Sequence, residues 1–162
     1  MPLFHKYEIE LKKDNIEIKK TGLIAKIKTS LLGKRMDYAQ LAMDTQIWED
    51  IQRYMPVDTG ALVGETNSLN ATHLGSGRVY VYPPTSPYGH YQHDGIVYKD
   101  PVYNFAGLYS PMYGWWSRSG VKKVPSTQLI KYSQPNARRY WGQYAYDHHK
   151  NQWINVYKRA VK

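Results

Sequence analysis

Three stretches of this chain carry a readable rhythm of apolar and polar positions. Tyr7, Ile9 and Leu11 alternate with Glu8, Glu10 and Lys12; Asp14-Asn15 then offers a turn, and Ile16 and Ile18 resume the alternation. Period two predicts a β-hairpin. Residues 36–55 place Leu41, Trp48, Ile51 and Met55, with Tyr38, Ala42 and Ile47, at the spacing of one buried helical stripe. Pro56 lacks an N–H and pushes Met55 out of the α region, which predicts the end of that helix. Residues 137–161 carry Tyr140, Trp141, Tyr144, Ala145, Trp153, Val156, Tyr157 and Ala160 on one side. They predict a second long helix, with Asn136 as its N-cap. Residues 21–33 are ambiguous, because Leu23, Ile24, Ile27, Leu31 and Leu32 fit a helical stripe closed by Gly33.

Between the long helices the pattern is shorter. Ala61 to about Thr72 reads as a strand, Gly75-Ser76-Gly77 breaks it, and Arg78–Tyr82 resumes until Pro83-Pro84, which cannot donate to a ladder. Pro87 to Gly95 predicts a single helical turn capped by Gly95, and Ile96-Val97-Tyr98 another strand. Residues 99–136 mix glycines and prolines with Tyr and Trp, plus Arg118, Lys122 and Lys123. The segment is too long for an ordinary connector and reads as an extended loop or small hairpin insertion. The chain has no internal repeat and no low-complexity tract. The expectation is a single α+β domain over residues 1–162: a small, curved, mostly antiparallel sheet packed on two long helices, about 36–55 and 137–161.

Composition narrows the chemistry. A chain of 162 residues buries about 70% of its unfolded surface on folding. It contains no cysteine, which excludes disulfides and thiolate metal sites. No apolar run approaches the roughly 18 residues needed to span a bilayer, and Met1-Pro2-Leu3-Phe4 runs at once into His5 and Lys6, so no leader and a cytoplasmic site of synthesis are expected. The Asn70-Ala71-Thr72 sequon then carries no meaning. The formal charge is +9, which suits either a nucleic-acid partner or an acidic protein neighbour. Tyrosine is the stronger signal: 16 in all, eight of them between Tyr80 and Tyr113. Tyrosine offers large apolar area with a polar tip, and eight hydroxyls in one irregular stretch are hard to satisfy in a core. Tyr103, Phe105, Tyr109, Tyr113, Trp115 and Trp116 are therefore candidate protein-interface residues.

Catalytic constellations are thin. Asp58-Thr59-Gly60 matches the aspartic-protease signature, but such sites pair two loops and this chain has one, placed after a helix. His90, His93 and Asp94 lack a defined third ligand, and adjacent His148 and His149 diverge by about 100° on a helix. Packing or surface histidines are the expectation, with no metal and no cofactor. Nucleophile-elbow, P-loop and dinucleotide-binding patterns are absent. Glu49 and Asp50, beside Arg53, read as solvated, and Glu65 as an unpartnered strand residue. No enzyme is expected.

Two short segments carry a family resemblance. One is the turn Pro56-x-Asp58-Thr59-Gly60-x-Leu62, where Asp58 is suited to an Asx turn and Gly60 to a backbone reversal. The other is Pro87-Tyr88-Gly89-x-Tyr91-Gln92-x-x-Gly95. Helix, proline stop, Asp-Thr-Gly turn and the later Pro-Tyr segment, in that order, resemble the minor capsid and head–tail joining proteins of long-tailed bacteriophages. The resemblance covers about residues 7–100 and the C-terminal helix; the expanded 99–136 segment departs from shorter members. It implies helices on one face of a curved sheet and a structural role in the virion neck, with assembly in the host bacterial cytoplasm. Copies would form a homohexamer or other ring around the DNA exit channel, between head-closure proteins and the tail terminator, with DNA passing nearby without specific binding. A basic DNA-binding accessory protein is the alternative, and an aspartic peptidase a third reading. On the neck reading Lys122, Lys123, Arg138, Arg139, Lys158, Arg159 and Lys162 face outward or towards acidic partners.

Overall fold

The computed structural model describes residues 6–21 and 31–162, with the side chains of Pro87, Tyr109 and Trp115 among those outside the description. The N-terminal alternation forms the hairpin it predicts. Strands β1 (Lys6–Leu11) and β2 (Asn15–Thr21) pair antiparallel with Ile9 opposite Ile18 and Leu11 opposite Ile16. Strand β3 (Arg78–Tyr80) joins the other edge of β2, placing Val79 opposite Ile16. Ile16, Ile18 and Val79 thus fill the core side of the sheet, all buried.

Helix α1 spans Leu31–Gln52. It starts earlier than the pattern predicts and runs through Gly33 rather than stopping there; the rest of the ambiguous 21–33 stretch, residues 22–30, lies outside the described residues. Its buried stripe is Met36, Ala39, Met43, Ile47 and Ile51, rotated from the predicted one, so Tyr38 (65%) and Leu41 (41%) face outward. The final turn is closed by Tyr54 and Met55 N–H groups bonded to Ile51 and Gln52 carbonyls at 3.1 and 3.2 Å, just before Pro56.

The segment Ala61–Ala71 is helix α2, not a strand. Its buried positions are Leu62, Thr66 and Asn70, four apart and two of them polar, so the hydrophobic pattern hides the helical period. Thr66 Oγ1 donates to the Leu62 carbonyl at 2.6 Å, and Asn70 bonds both backbone groups of Tyr80, N–H at 2.7 Å and C=O at 2.9 Å. The amide side chain therefore continues the ladder beyond β3, and the sequon asparagine is buried. Glu65, read as a strand residue, is an exposed helical one.

Helix α4 (Trp141–Val161) begins four residues later than expected. Tyr140, in a left-handed conformation at φ 52°, occupies the N-cap position in place of Asn136. Trp141, Ala145, Trp153 and Tyr157 pack on α1 and the three-stranded sheet, in one cluster with Leu62, Val81 and Tyr82. Burying each of the large aromatic side chains contributes about 2 kcal/mol. Polar contacts fix the register: Trp153 Nε1 donates to Asp50 Oδ2 at 2.8 Å, and Tyr146 Oη to the Ile9 carbonyl at 3.0 Å. Asp50, read as solvated, is fully buried by this contact.

The remaining strands form two further antiparallel ladders. Strand β4 (Ile96–Lys99) pairs with β7 (Val124–Leu129), and β5 (Leu108–Ser110) with β6 (Gly114–Trp116). The 99–136 segment is therefore a small hairpin followed by a returning strand. The fold is α+β: among the described residues the strands are shared among three small antiparallel sheets, and the two long helices are in contact.

Candidate functional site

The turn after α1 is held from outside. Gln134 accepts from the Val57 N–H at 3.1 Å and donates back to the Val57 carbonyl. Asp58 is exposed, and the hydroxyl that folds back on the turn belongs to Thr59, whose Oγ1 takes the Ala61 N–H at 3.4 Å. The Asx turn expected of Asp58 is thus supplied by its neighbour. Gly60 sits at φ +83°, the left-handed conformation that lets α2 start at Ala61. The signature aspartate lies between two helices rather than between strands.

Helix α3 (Pro87–Asp94) is two turns long. Ser86 Oγ accepts the Gly89 N–H at 3.3 Å, proline occupies the first turn, and Gly95 at φ +67° closes the helix. This helix packs directly on α2. A Cβ added at Gly89 would stand 3.2 Å from Leu62 Cδ1 and 3.0 Å from Tyr82 Cβ. Gly95 is tighter still, with Arg139 Cβ only 2.5 Å from where its own Cβ would stand. Tyr132 Oη donates to the Gln92 carbonyl at 2.6 Å, and burial pushes that phenol up to about 12. Tyr91 packs against Tyr98 with the rings tilted by 41° and their centroids 4.3 Å apart.

The two motifs therefore meet. Asp58, Leu62, Tyr88, Gln92, Lys131 and Gln134 line one cleft of about 270 Å³. A shallower depression of about 690 Å³ shares Asp58, Tyr88 and Gln92 and runs on to Trp116 and Lys123 of the insertion. Burial and the Asp58 charge together raise the Tyr88 phenol pKa.

His93 forms the buried backing of α3. Its ring lies 4.7 Å from Trp141, 5.2 Å from Tyr82 and 5.6 Å from Tyr140. Burial lowers its pKa to about 4 against the opposing pull of Asp94. This is a packing histidine. Among the described residues no group of three or more His, Asp or Glu is placed to hold a metal ion, and no helix is long and apolar enough to cross a membrane.

The insertion is organised by one ion pair. Arg118 binds Asp100 through both arms, Nε–Oδ2 at 2.6 Å and Nη2–Oδ1 at 2.8 Å. Asp100 Oδ1 also accepts the Val102 and Tyr103 N–H groups at 2.8 and 3.1 Å. The Arg118 guanidinium, aided by those amides, holds the Asp100 carboxyl far below the usual range, and it lies 4.7 Å over the Tyr103 ring. Lys123 Nζ donates to the Ala106 carbonyl. Pinned in this way, the hairpin displays Tyr103 (63%), Tyr113 (79%) and Trp116 (47%) to solvent, while Phe105 is half-buried against Trp116. The side chains of Tyr109 and Trp115, also candidates, lie outside the described residues.

Charge is unevenly distributed. Residues 1–94 carry eleven basic and eleven acidic side chains, whereas residues 95–162 carry eleven basic and two acidic ones. Of the basic residues expected to face outward, Lys122, Lys158, Arg159 and Lys162 are exposed. Arg138 instead spreads over Tyr144 and Tyr54 at 4.0 and 5.5 Å, and Arg139 packs on Gly95.

Two clusters gave no sign in the apolar pattern. Asp44 sits fully buried on the core stripe of α1, accepting from Gly75 and Gly77 N–H at 2.8 and 3.0 Å and from Gln40 Nε2 at 2.6 Å. A carboxylate at a core position, followed by Gly-x-Gly, was the available signal. The Asp100–Arg118 pair had none, since 18 residues of irregular chain separate its partners. Comparison with protein-family models, curated proteins and solved structures finds no match to this chain.

Proposed function

We propose that this chain is a structural virion protein of the neck of a long-tailed bacteriophage, one copy of a ring that joins the head-closure complex to the tail around the DNA exit channel. The observation that carries the reading is the packing of its two motifs on each other. Leu62 of the helix-stop turn meets Gly89 of the Pro-Tyr helix, so segments distant in sequence build one rigid unit. Onto that unit the Asp100–Arg118 pair fixes a hairpin whose exposed aromatics suit a protein–protein contact. The work is subunit packing: binding, spacing and sealing, with no bond made or broken.

The test is location. Antibody against this chain should label the head–tail junction in negative-stain images of virions that contain it, and an amber mutation in its gene, grown in a non-suppressing host, should leave filled heads and free tails apart. Label elsewhere, or joined particles without the chain, would overturn the reading. The basic C-terminal half favours a second reading, a DNA-binding accessory protein. That reading expects duplex binding whose affinity falls steeply with salt, and no label at the neck.

A further inference from the structure

Two hollows meet over helix α3. The cleft of about 270 Å³ and the depression of about 690 Å³ share Asp58, Tyr88 and Gln92, and together they run from Lys131 to Trp116. The result is a shallow groove rather than a closed pocket, which suits an extended chain better than a small molecule. Its α3 wall is fixed in place. Tyr132 Oη bonds the Gln92 carbonyl at 2.6 Å, and Gly89, one turn earlier, leaves no room for even a Cβ against Leu62 and Tyr82. A groove held in this way loses little conformational freedom when it is filled.

The side chains along it are free to take a ligand. The Gln92 carboxamide bonds none of the described residues, and Asp58 and Lys131, both exposed, form no ion pair with them. Lys123, the cation that lines the wider depression, is held by the Ala106 carbonyl. Tyr88 (50%) and Trp116 (47%) are large aromatics with half their area in solvent. The Asp58 charge acts on the Tyr88 phenol, which places carboxylate and ring together, and a cation is attracted by both. Elsewhere the molecule shows what a carboxamide does when it meets a backbone. Asn70 takes the Tyr80 N–H and gives to its carbonyl at 2.7 and 2.9 Å, and Gln134 treats Val57 in the same way. Gln92, where the two hollows join, is placed to do this for a second chain.

We propose that this groove binds an extended peptide segment of a partner protein that carries a basic, an acidic and a large apolar side chain. Gln92 bonds the N–H and carbonyl of one peptide residue. The basic side chain reaches Asp58 across the Tyr88 ring, the acidic one reaches Lys131, and the apolar one lies against Trp116. An unpaired carboxylate where the hollows join repels a phosphate backbone, so a nucleic acid is a poor occupant despite the +9 charge. The groove and its occupant do not depend on the neck role.

A library of random octapeptides, acetylated and amidated so that only side chains carry charge, tests this against the full chain. Selected peptides should combine a basic, an acidic and a large apolar residue, and the best of them should shift the Gln92 side-chain amide signals in NMR spectra. Gln92→Ala should weaken that peptide by about tenfold. Asp58→Lys should turn the preference for the basic residue into one for a second acidic residue, and Lys131→Glu should turn the acidic preference into a basic one. Partial unfolding lowers affinity but does not reverse selectivity. Trp116→Ser should weaken binding with both charge preferences kept. A chain that selects no peptide over a polyserine control, a basic preference that survives Asp58→Lys, or peptide shifts confined to other faces would each overturn the proposal. So would a duplex oligonucleotide that shifts the Gln92 signals when no peptide does. A chain that labels the neck yet selects no peptide refutes only the groove. A chain that binds peptide here yet is absent from virions refutes only the neck role.

Discussion

Asn70 completes a β-ladder with its side chain, taking the Tyr80 N–H at 2.7 Å and giving its own N–H to the Tyr80 carbonyl at 2.9 Å. Asn70→Ala leaves two backbone groups unpaired beside a packed core, at about 2–4 kcal/mol. The thermal midpoint should fall by roughly 4–15 °C, and hydrogen exchange at the Tyr80 amide should accelerate. An unchanged midpoint would remove the side-chain rung from the fold.

The glycines of the two motifs should respond differently to alanine. At Gly60 nothing lies within 4 Å of an added Cβ, so Gly60→Ala meets only the cost of φ +83°, about 1–2 kcal/mol. At Gly95 the same conformational cost is joined by a clash with Arg139 Cβ at 2.5 Å, so Gly95→Ala should be clearly worse. Denaturant midpoints of the two variants decide it; equal losses would mean that Arg139 gives way freely. Asp58→Asn, at an exposed site, should leave the midpoint within about 0.5 kcal/mol of wild type.

His93 makes the fold sensitive to mild acid. Its pKa is about 4 when folded and near 6.5 when unfolded, so the unfolded chain binds the extra proton first. This residue's contribution is fully retained above pH of about 6.5. It declines as pH falls towards 4 and levels off below, for a total loss of about 3 kcal/mol. His93→Phe should flatten that part of the stability–pH curve relative to wild type. A His93 ring that titrates near 6.5 by NMR in the folded protein would contradict the prediction.

Asp100 acts at lower pH and in the opposite ionic sense. Its carboxylate is stabilised by Arg118 and two amides, so its contribution persists above the unfolded carboxyl range and is lost only as pH falls well beneath it. Asp100→Asn at neutral pH should loosen the insertion while leaving the α1–α4 core intact. Limited trypsin digestion should then cut first at Arg118, Lys122 or Lys123. Unchanged cleavage kinetics would show that the hairpin holds without the pair.

Much of the fold was legible because apolar residues repeat at 2 or 3.6. The hairpin at residues 6–21 and the long helices follow from that spacing; the Pro87–Asp94 helix is announced instead by its proline and its glycine cap, and it makes two turns rather than the single one those signals suggest. The reading failed where polar side chains occupy core positions. Thr66 and Asn70 make α2 look unpatterned, Asp50 hides under Trp153, and Asp44 interrupts the α1 stripe, which shifted the predicted face and left Tyr38 and Leu41 assigned to the core. Asn136 looked like a cap by residue type, yet Arg138 N–H bonds the Tyr54 carbonyl at 3.2 Å and Tyr140 N–H the His93 carbonyl at 2.7 Å. Those tertiary bonds hold residues 136–140 out of the helix. The meeting of the two motifs in one cleft depends on Gln134 and Tyr132, and nothing local to either motif announces those partners.

The contact between Tyr146 and Ile9 spans 137 residues of sequence, and Trp153 reaches back 103 to Asp50. A nascent chain that has not yet presented Trp141, Trp153 and Tyr157 leaves Ile16, Met43 and Ile47 facing water, however well its hairpin and first helix have formed. Closing such distant pairs comes late and slowly in folding. Until α4 emerges the growing chain therefore exposes apolar surface of the kind holdase chaperones bind, and truncation before Trp141 should yield a sticky fragment instead of a smaller stable one.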